Sequence, residues 1–432
     1  MATRIFMTGE SGDHNLGDEG QAWASARRLR QYFPDAHIVS TSIDPLGAIL
    51  RHQTQVVSWP LSPWELDNSR AQKVTRKIAH KLGANEDFLD PAGRRMDAIF
   101  DEQYRRNAQF RSVVEHVEQA DFVFDMGHGA LNDVFDPFMI CFIYYLAGRF
   151  SKPLFISGQS IGPFWRPRSI KMVRDTLACA HTVGLRDKEV SRQVLLEQVG
   201  VDTNHVQLVE VGDDTLDLDP QEPVWGAFPP RLADILRSGE FFAVQWRSSD
   251  YTQAVTATKQ LVPLVEAIER LHSATRLPAV FLPFSWEQGS SDIVAAARMH
   301  DCVQGRVPFY VVWNYLGAAE LKWLLGQARF GMGLSYHFHV FLLTQGVPPI
   351  GLYTNSYYDI KLRGAYAAYG YKSVPLVYSP DLCSTKDFSA AIESVKSWTA
   401  ADRRLLTAAA DEMHSGWHDA FRTFLRDSRL AA

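Results

Sequence analysis

The chain has 432 residues, more than one hydrophobic core usually organises, so two domains are the default expectation. Apolar residues make up 46% and charged residues 22%, values of a folded globular chain rather than a disordered one. The net charge of −5 supplies no global basic field, so nucleic acid is not an expected partner.

The opening MATRIFMTGE lacks the long apolar stretch of a signal peptide. The longest apolar segment, FMICFIYYLAG, is too short to span a bilayer and reads as a buried helix. Cys141, Cys179, Cys302 and Cys383 are scattered, which fits a reducing cytoplasm and argues against a zinc–thiolate site. RIFMT reads as a strand, GESGDHNLGDEG as a loop, QAWASARRLRQYF as a helix and AHIVSTS as the next strand. The polar residues 60–118 predict an insertion of helices and loops. Then DFVFDMG, PLFISGQSIGP, TVGLRD and VQLVEVGDDT alternate as strands with three helical segments. LDLDPQEPVWGAFPPR is rich in Pro and Asp and reads as a linker. After it, FFAVQWR, LPAVFLPF, PFYVVW, ARFGMGL and VPPIGLY continue as strands, while the tail from Asp387 shows only helical patterns. Alternating strands and helices imply parallel βαβ units, hence an α/β fold of two doubly wound, Rossmann-like domains facing across a cleft. The expected boundaries are 1–216, 232–386 and a helical tail at 387–432.

In such sheets ligands sit beyond the carboxyl ends of strands, so those loops are where chemistry is expected. The first, from Thr8 to Glu19, is glycine-rich and opens a helix but lacks a Gly-Lys-Ser/Thr ending, and Asp13, Asp18 and Glu19 would repel phosphate. It reads either as a capped turn or as a site for a neutral, hydroxyl-rich ligand. The second, DMGHGALND, delivers Asp133 near a helix start, where a carboxylate serves as general base or as cap. The third, SGQSIGPFWRPR, turns sharply and carries an aromatic-basic run, a solvated helix start or a contact for a lipid head group or anionic acceptor. The fourth, VQWRSSD, sets Arg247 at a strand end, to clamp an anion or to form an ordinary salt bridge. The fifth, GMGLSYHFHV, places Ser335 as N-cap and His337 in the first turn of a helix. On a helix His337 and His339 are ~200° apart and cannot share a metal ion. One faces the cleft and the other packs, and no metal site is expected.

The ordered series Gly12…Asn15-Leu-Gly-Asp-Glu19, Gly127-x-Gly129…Asp133, Gly158-Gln-Ser-Ile-Gly-Pro163 and Leu185-Arg-Asp187…Ser191 resembles the polysaccharide pyruvyl transferase family. So do Asp213-Asp214, Arg247, Leu282-Pro-Phe284, Gly333-x-x-x-His337 and Gly346-Val-Pro348…Lys361. The resemblance implies a glycosyltransferase-B-like pair of domains with an acceptor side first and a donor side second. It implies transfer of an enolpyruvyl-derived group from phosphoenolpyruvate, as co-substrate and without a cofactor, to two hydroxyls of a glycan or lipid-linked sugar. It gives His337 the role of general acid, Arg247 that of donor clamp and Asp133 that of the first-domain carboxylate. Asn15, Asp18, Glu19, Gln159 and Asp213 fall on its cleft-side motifs. A cytoplasmic location with at most peripheral contact at the inner membrane face follows, and an oligomer is compatible with it.

The chain departs from the family at one point: the usual Arg-x-His triplet is Ser335-Tyr336-His337. A lost charge-assisted contact costs roughly 1.5–3 kcal/mol, so another cation, Lys361 or Arg363, is expected to replace the arginine. The alternatives are the same scaffold with a different donor, such as a nucleotide sugar, or a non-catalytic glycan-binding protein.

Overall fold

The computed structural model describes residues 2–9, 14–42, 49, 54–58, 96–187, 189–247, 258–286, 291–371, 376–379, 382 and 386–430. Its strands are β1 (Arg4–Thr8), β2 (His37–Ser42), β3 (Gln55–Ser58), β4 (Phe122–Asp125), β5 (Leu154–Gln159), β6 (Thr182–Leu185) and β7 (Gln207–Glu210) in a first sheet. A second sheet holds β8 (Phe242–Val244), β9 (Ala279–Phe281), β10 (Phe309–Val311), β11 (Phe330–Gly333), β12 (Pro349–Tyr353) and β13 (Leu376–Tyr378). The helices of the first half are α1 (Leu16–Tyr32), α2 (Met96–Arg106), α3 (Ala108–Gln119), α4 (Phe138–Arg149), α5 (Pro167–Leu177) and α6 (Val190–Gln193), which runs into a π turn at Val194–Val199. Those of the second half are α7 (Pro230–Ser238), α8 (Thr258–Thr275), α9 (Asp292–Val303), α10 (Ala318–Gln327), α11 (Tyr336–Thr344), α12 (Ser356–Ala368), α13 (Lys386–Lys396) and α14 (Ala400–Asp427).

Both sheets are parallel throughout, in the orders β3-β2-β1-β4-β5-β6-β7 and β10-β9-β8-β11-β12-β13. Helices on the faces leave the central strands buried on both sides, as in β4, where all four residues are buried. Each sheet has one point where the strand order reverses, between β1 and β4 and between β8 and β11. A crevice opens beyond the strand ends there. The loops after β1 and β4, and those after β8 and β11, are therefore the positions the topology sets aside for a ligand. These are four of the five loops singled out from the sequence.

Several elements differ from the sequence reading. The part of the 60–118 segment that is described, from Met96, forms α2 and α3, while residues 59–95 lie outside the described residues. α3 is no insertion: it buries Phe110, Val113, Val114 and Val117 in the core of the first sheet, as the crossover into β4. The short strands β3 and β13 and the polar helix α12 have too little apolar periodicity to stand out in sequence. The tail is helical as expected, but α14 leaves the second sheet and returns to the first. There Trp417, Phe421 and Phe424 pack on Phe122, Phe124 and Phe155, and Trp417 Nε1 donates to Ser157 Oγ at 2.7 Å.

Candidate active site

α11 is apolar on every side, and its residues from Tyr336 to Leu343 are all buried. Such a helix sits between layers, here between β11, α10, α12, α14 and the start of α1, so its N-terminus lies at the meeting of the two halves. Ser335 occupies the N-cap position without a side-chain cap bond, and its Oγ is buried with no partner. The cap is held instead by Gln245, whose Oε1 accepts from Ser335 N at 2.9 Å and Leu334 N at 3.2 Å. His339 turns into the core as expected: its Nε2 donates to Gly333 O at 2.9 Å, and Tyr366 OH donates to Nδ1 at 2.9 Å. Burial pushes its pKa down to about 3.

His337 points the other way, onto the first turn of α1. A Cβ at Gly17 would lie 2.0 Å from its Nδ1, so only glycine admits the imidazole there. Asn15 caps α1 by accepting from Gly17 N at 3.2 Å, and Leu16 N donates to Phe284 O at 2.9 Å, which ties this turn to the second half. Asp18 and Glu19 stand in the same turn, where their charge favours the helix dipole, and Glu19 is buried. The imidazole Nδ1 is 4.0 Å from Asp18 Oδ1, and Nε2 is 3.5 Å from Asp213 Oδ2. Burial lowers the His337 pKa to about 4, against the pull of Asp213 and with a further push from Arg186 and Lys361. It is therefore neutral at pH 7 with no ligand bound.

Asp213 is the centre of the group. Its Oδ1 accepts from Thr215 N and Oγ1, and its Oδ2 from Gln21 Nε2 at 3.1 Å, with Arg186 Nε also at 3.1 Å. Burial alone would raise its pKa; Arg186, His337 and Thr215 outweigh that and hold the carboxyl well below the usual range. Arg186 follows β6 directly and is 2% exposed. Its Nε donates to Gly158 O at 2.6 Å, its guanidinium lies 5.1 Å from the Tyr336 ring centre, and both Nη1 and Nη2 are buried without a partner. Two unpaired guanidinium N–H groups in a low-dielectric site are costly, and the planar fork they form matches a carboxylate or phosphate. Lys361, from α12, crosses to the same ring: its Nζ is 4.9 Å from the Tyr336 centre, 3.2 Å from Tyr357 OH, and would be 2.6 Å from a Cβ at Gly129.

The other residues named from sequence are placed elsewhere. Arg363, two positions beyond Lys361, faces outward and pairs with Asp359 at 2.8 Å with a half-exposed side chain, so it cannot replace the missing arginine. Arg247 is buried, and its Nε lies 3.3 Å from Asp292 Oδ1, the salt-bridge alternative; residues 248–257 beyond it lie outside the described residues. Asp292 Oδ2 also takes Gln245 Nε2 at 2.9 Å, so this pair braces the cap of α11 from behind. Asp133 Oδ2 accepts from Trp165 N at 2.6 Å and Arg166 N at 2.7 Å. That carboxylate anchors the aromatic-basic loop at the start of α5, the capping alternative, while its Oδ1 is buried unpartnered. Gln159 donates to Asp125 Oδ2 and Met126 O inside the first half, where Tyr144 OH and His128 also meet Asp125. Sequence reasoning quoted Arg186 within a motif but assigned it no task. The available signal was an arginine at the carboxyl end of a fully buried strand.

Among the described residues no helix is long and apolar enough to cross a membrane. No curated protein matches the chain in sequence. Among solved structures, the fold is similar to a putative UDP-N-acetylglucosamine 2-epimerase from Listeria monocytogenes, at 12% identity, TM-score 0.54 and 98% coverage of both chains. It is equally similar to Anabaena HepE in complex with UDP-glucose, at 12% identity, TM-score 0.54 and 98% coverage of both. The α,α-trehalose 6-phosphate synthase of Burkholderia multivorans matches at 14% identity and TM-score 0.54, over 100% of this chain and 98% of that one. These likenesses establish the two-sheet, glycosyltransferase-B-like architecture. The sequence model of the polysaccharide pyruvyl transferases matches residues 15–356, from the cap of α1 to the first residue of α12. That span holds His337, Asp213 and Arg186, and the chain belongs to the polysaccharide pyruvyl transferase family.

Proposed function

We propose that the chain transfers a pyruvyl group from phosphoenolpyruvate to two hydroxyls of a glycan or lipid-linked sugar, at the Arg186–Asp213–His337 group. The observation that carries this reading is the pair of Arg186 Nη groups, buried without a hydrogen-bond partner beside His337 and Lys361, while Asp213 pairs only with Nε. Arg186 and Lys361 supply the charge that Ser335 does not, and the α11 N-terminus adds its dipole. The donor's anions raise the pKa of His337, which then adds a proton to the methylene carbon of phosphoenolpyruvate. The cationic C2 takes the first sugar hydroxyl; the second displaces phosphate, which leaves with that hydroxyl's proton, and closes the ketal. Asp213 Oδ2, 3.5 Å from Nε2, stabilises the imidazolium electrostatically. Asp18 is the carboxylate within reach to receive a hydroxyl proton, while Asp133 holds the loop that flanks the acceptor.

The test is release of phosphate from phosphoenolpyruvate in the presence of candidate glycans, with a gain of the pyruvyl mass on the acceptor. Phosphate release with no mass gain, or stabilisation by nucleotide sugars and not by phosphoenolpyruvate, would favour the alternative donor. Two further outcomes are expected. Gly17→Ala displaces the imidazole, and a misplacement on the order of 1 Å lowers turnover ~100-fold; overpacking this buried turn also costs ~1–3 kcal/mol, so the melting temperature falls. Lys361→Met weakens phosphoenolpyruvate binding, measured by calorimetry, whereas Arg363→Ala leaves it unchanged.

A further inference from the structure

A second cluster lies at the far end of the 3₁₀ turn Asp214–Asp217 that follows Asp213. The Asp217 side chain is 5% exposed, and its Oδ2 accepts from Arg28 Nε. Its Oδ1 touches His414 Nδ1 yet is buried with no donor aligned on it. His414 and His418 stand four residues apart on α14, hence on one helix face, with ring centres 4.6 Å apart. One ligand atom from each of Asp217, His414 and His418 lies within 4.8 Å of the other two. An ion with bonds of ~2.0–2.2 Å holds its donors roughly 3–4 Å apart, which a small rotation of the half-exposed His414 side chain reaches.

We propose that Asp217, His414 and His418 form a binding site for a divalent transition-metal ion of the zinc class. Two imidazole nitrogens and one carboxylate oxygen suit such an ion better than calcium or magnesium, which take oxygen ligands. Tyr32 OH is 2.8 Å from His418 Nδ1, an outer contact that fixes the ring and leaves Nε2 for the ion. Arg28 does not cancel the site, because its charge is shared between Asp217 and Asp214, at 2.8 Å. The fourth ligand position is water, since the His414 side chain is 45% exposed. The ion would clamp α14, the returning C-terminal helix, to the turn whose first neighbour, Asp213, lies 3.5 Å from His337 Nε2. The site is distinct from the transfer centre, and its existence does not depend on the donor.

Calorimetric titration of the full chain with Zn²⁺, and with Co²⁺ followed by visible absorption, tests it. One equivalent is expected, with cobalt bands and a melting temperature raised by metal. His414→Ala and His418→Ala are each expected to weaken binding at least ~10-fold and Tyr32→Phe ~10–100-fold, whereas His300→Ala on α9 leaves it unchanged. Melting curves in chelator report whether each variant folds; His414→Gln replaces His414→Ala if alanine unfolds the chain. No stoichiometric binding, or binding that both histidine variants retain, overturns the proposal.

Discussion

Replacing Arg186 by glutamine is expected to weaken phosphoenolpyruvate binding ~10–10,000-fold, because one or both charge-assisted hydrogen bonds of ~1.5–3 kcal/mol each are lost. Glutamine keeps part of the volume and one amide donor, so the effect falls on the fork and the charge. Arg186→Ala is a different experiment. It leaves Asp213 buried and uncompensated, and removing one partner of a buried pair typically costs ~3–5 kcal/mol of stability. Gln21 and Thr215 retain their bonds to Asp213 and soften that loss. Calorimetry on Arg186→Gln with thermal melts on both variants separates the two effects. An unchanged donor affinity in folded Arg186→Gln would remove the guanidinium from the donor site.

His337→Gln is expected to lower turnover ~10²–10⁴-fold, the usual contribution of a positioned general acid, while donor binding persists. The pH dependence has a definite sign. In the unliganded chain His337 titrates at about 4, below the ordinary 6.5, so folding favours its neutral form. Its contribution to stability is complete above about 6.5 and is lost as pH falls from there through about 4. His339, lowered to about 3, acts in the same direction. Turnover runs the other way, falling as pH rises through the pKa of His337 in the donor complex, and this limb should vanish in His337→Gln.

The architecture was readable because strands with apolar runs such as FVF, LFI and FGMG alternate with helical patterns, and parallel sheets bury both faces. Strand-end loops could then be located before any coordinates, and the opposed directions of His337 and His339 followed from helix geometry alone. Partner choice was less readable. Asp133 and Arg247 each carried two readings, and the partners the structure gives them, the amides of Trp165 and Arg166 and the carboxylate of Asp292, lie 32 to 45 positions away. Lys361 and Arg363 are equal as letters, yet two residues on a helix place them on opposite sides. The apolar spacing of Trp417, Phe421 and Phe424 marks an amphipathic helix without saying which sheet it covers. His414 and His418 had metal-ligand spacing in plain view, but their third partner, Asp217, is supplied only by the return of α14 to the first half.

The central claim, that an anionic donor sits between Arg186 and Lys361 and charges His337, is tested most directly by calorimetric titration of phosphoenolpyruvate at pH 7. Buffers of different ionisation enthalpy report the protons exchanged. The account predicts saturable binding with net proton uptake; the uptake is abolished in His337→Gln, where binding persists, and the affinity is weakened in Arg186→Gln. Absence of binding at millimolar concentration, or binding with no proton uptake attributable to His337, would contradict it.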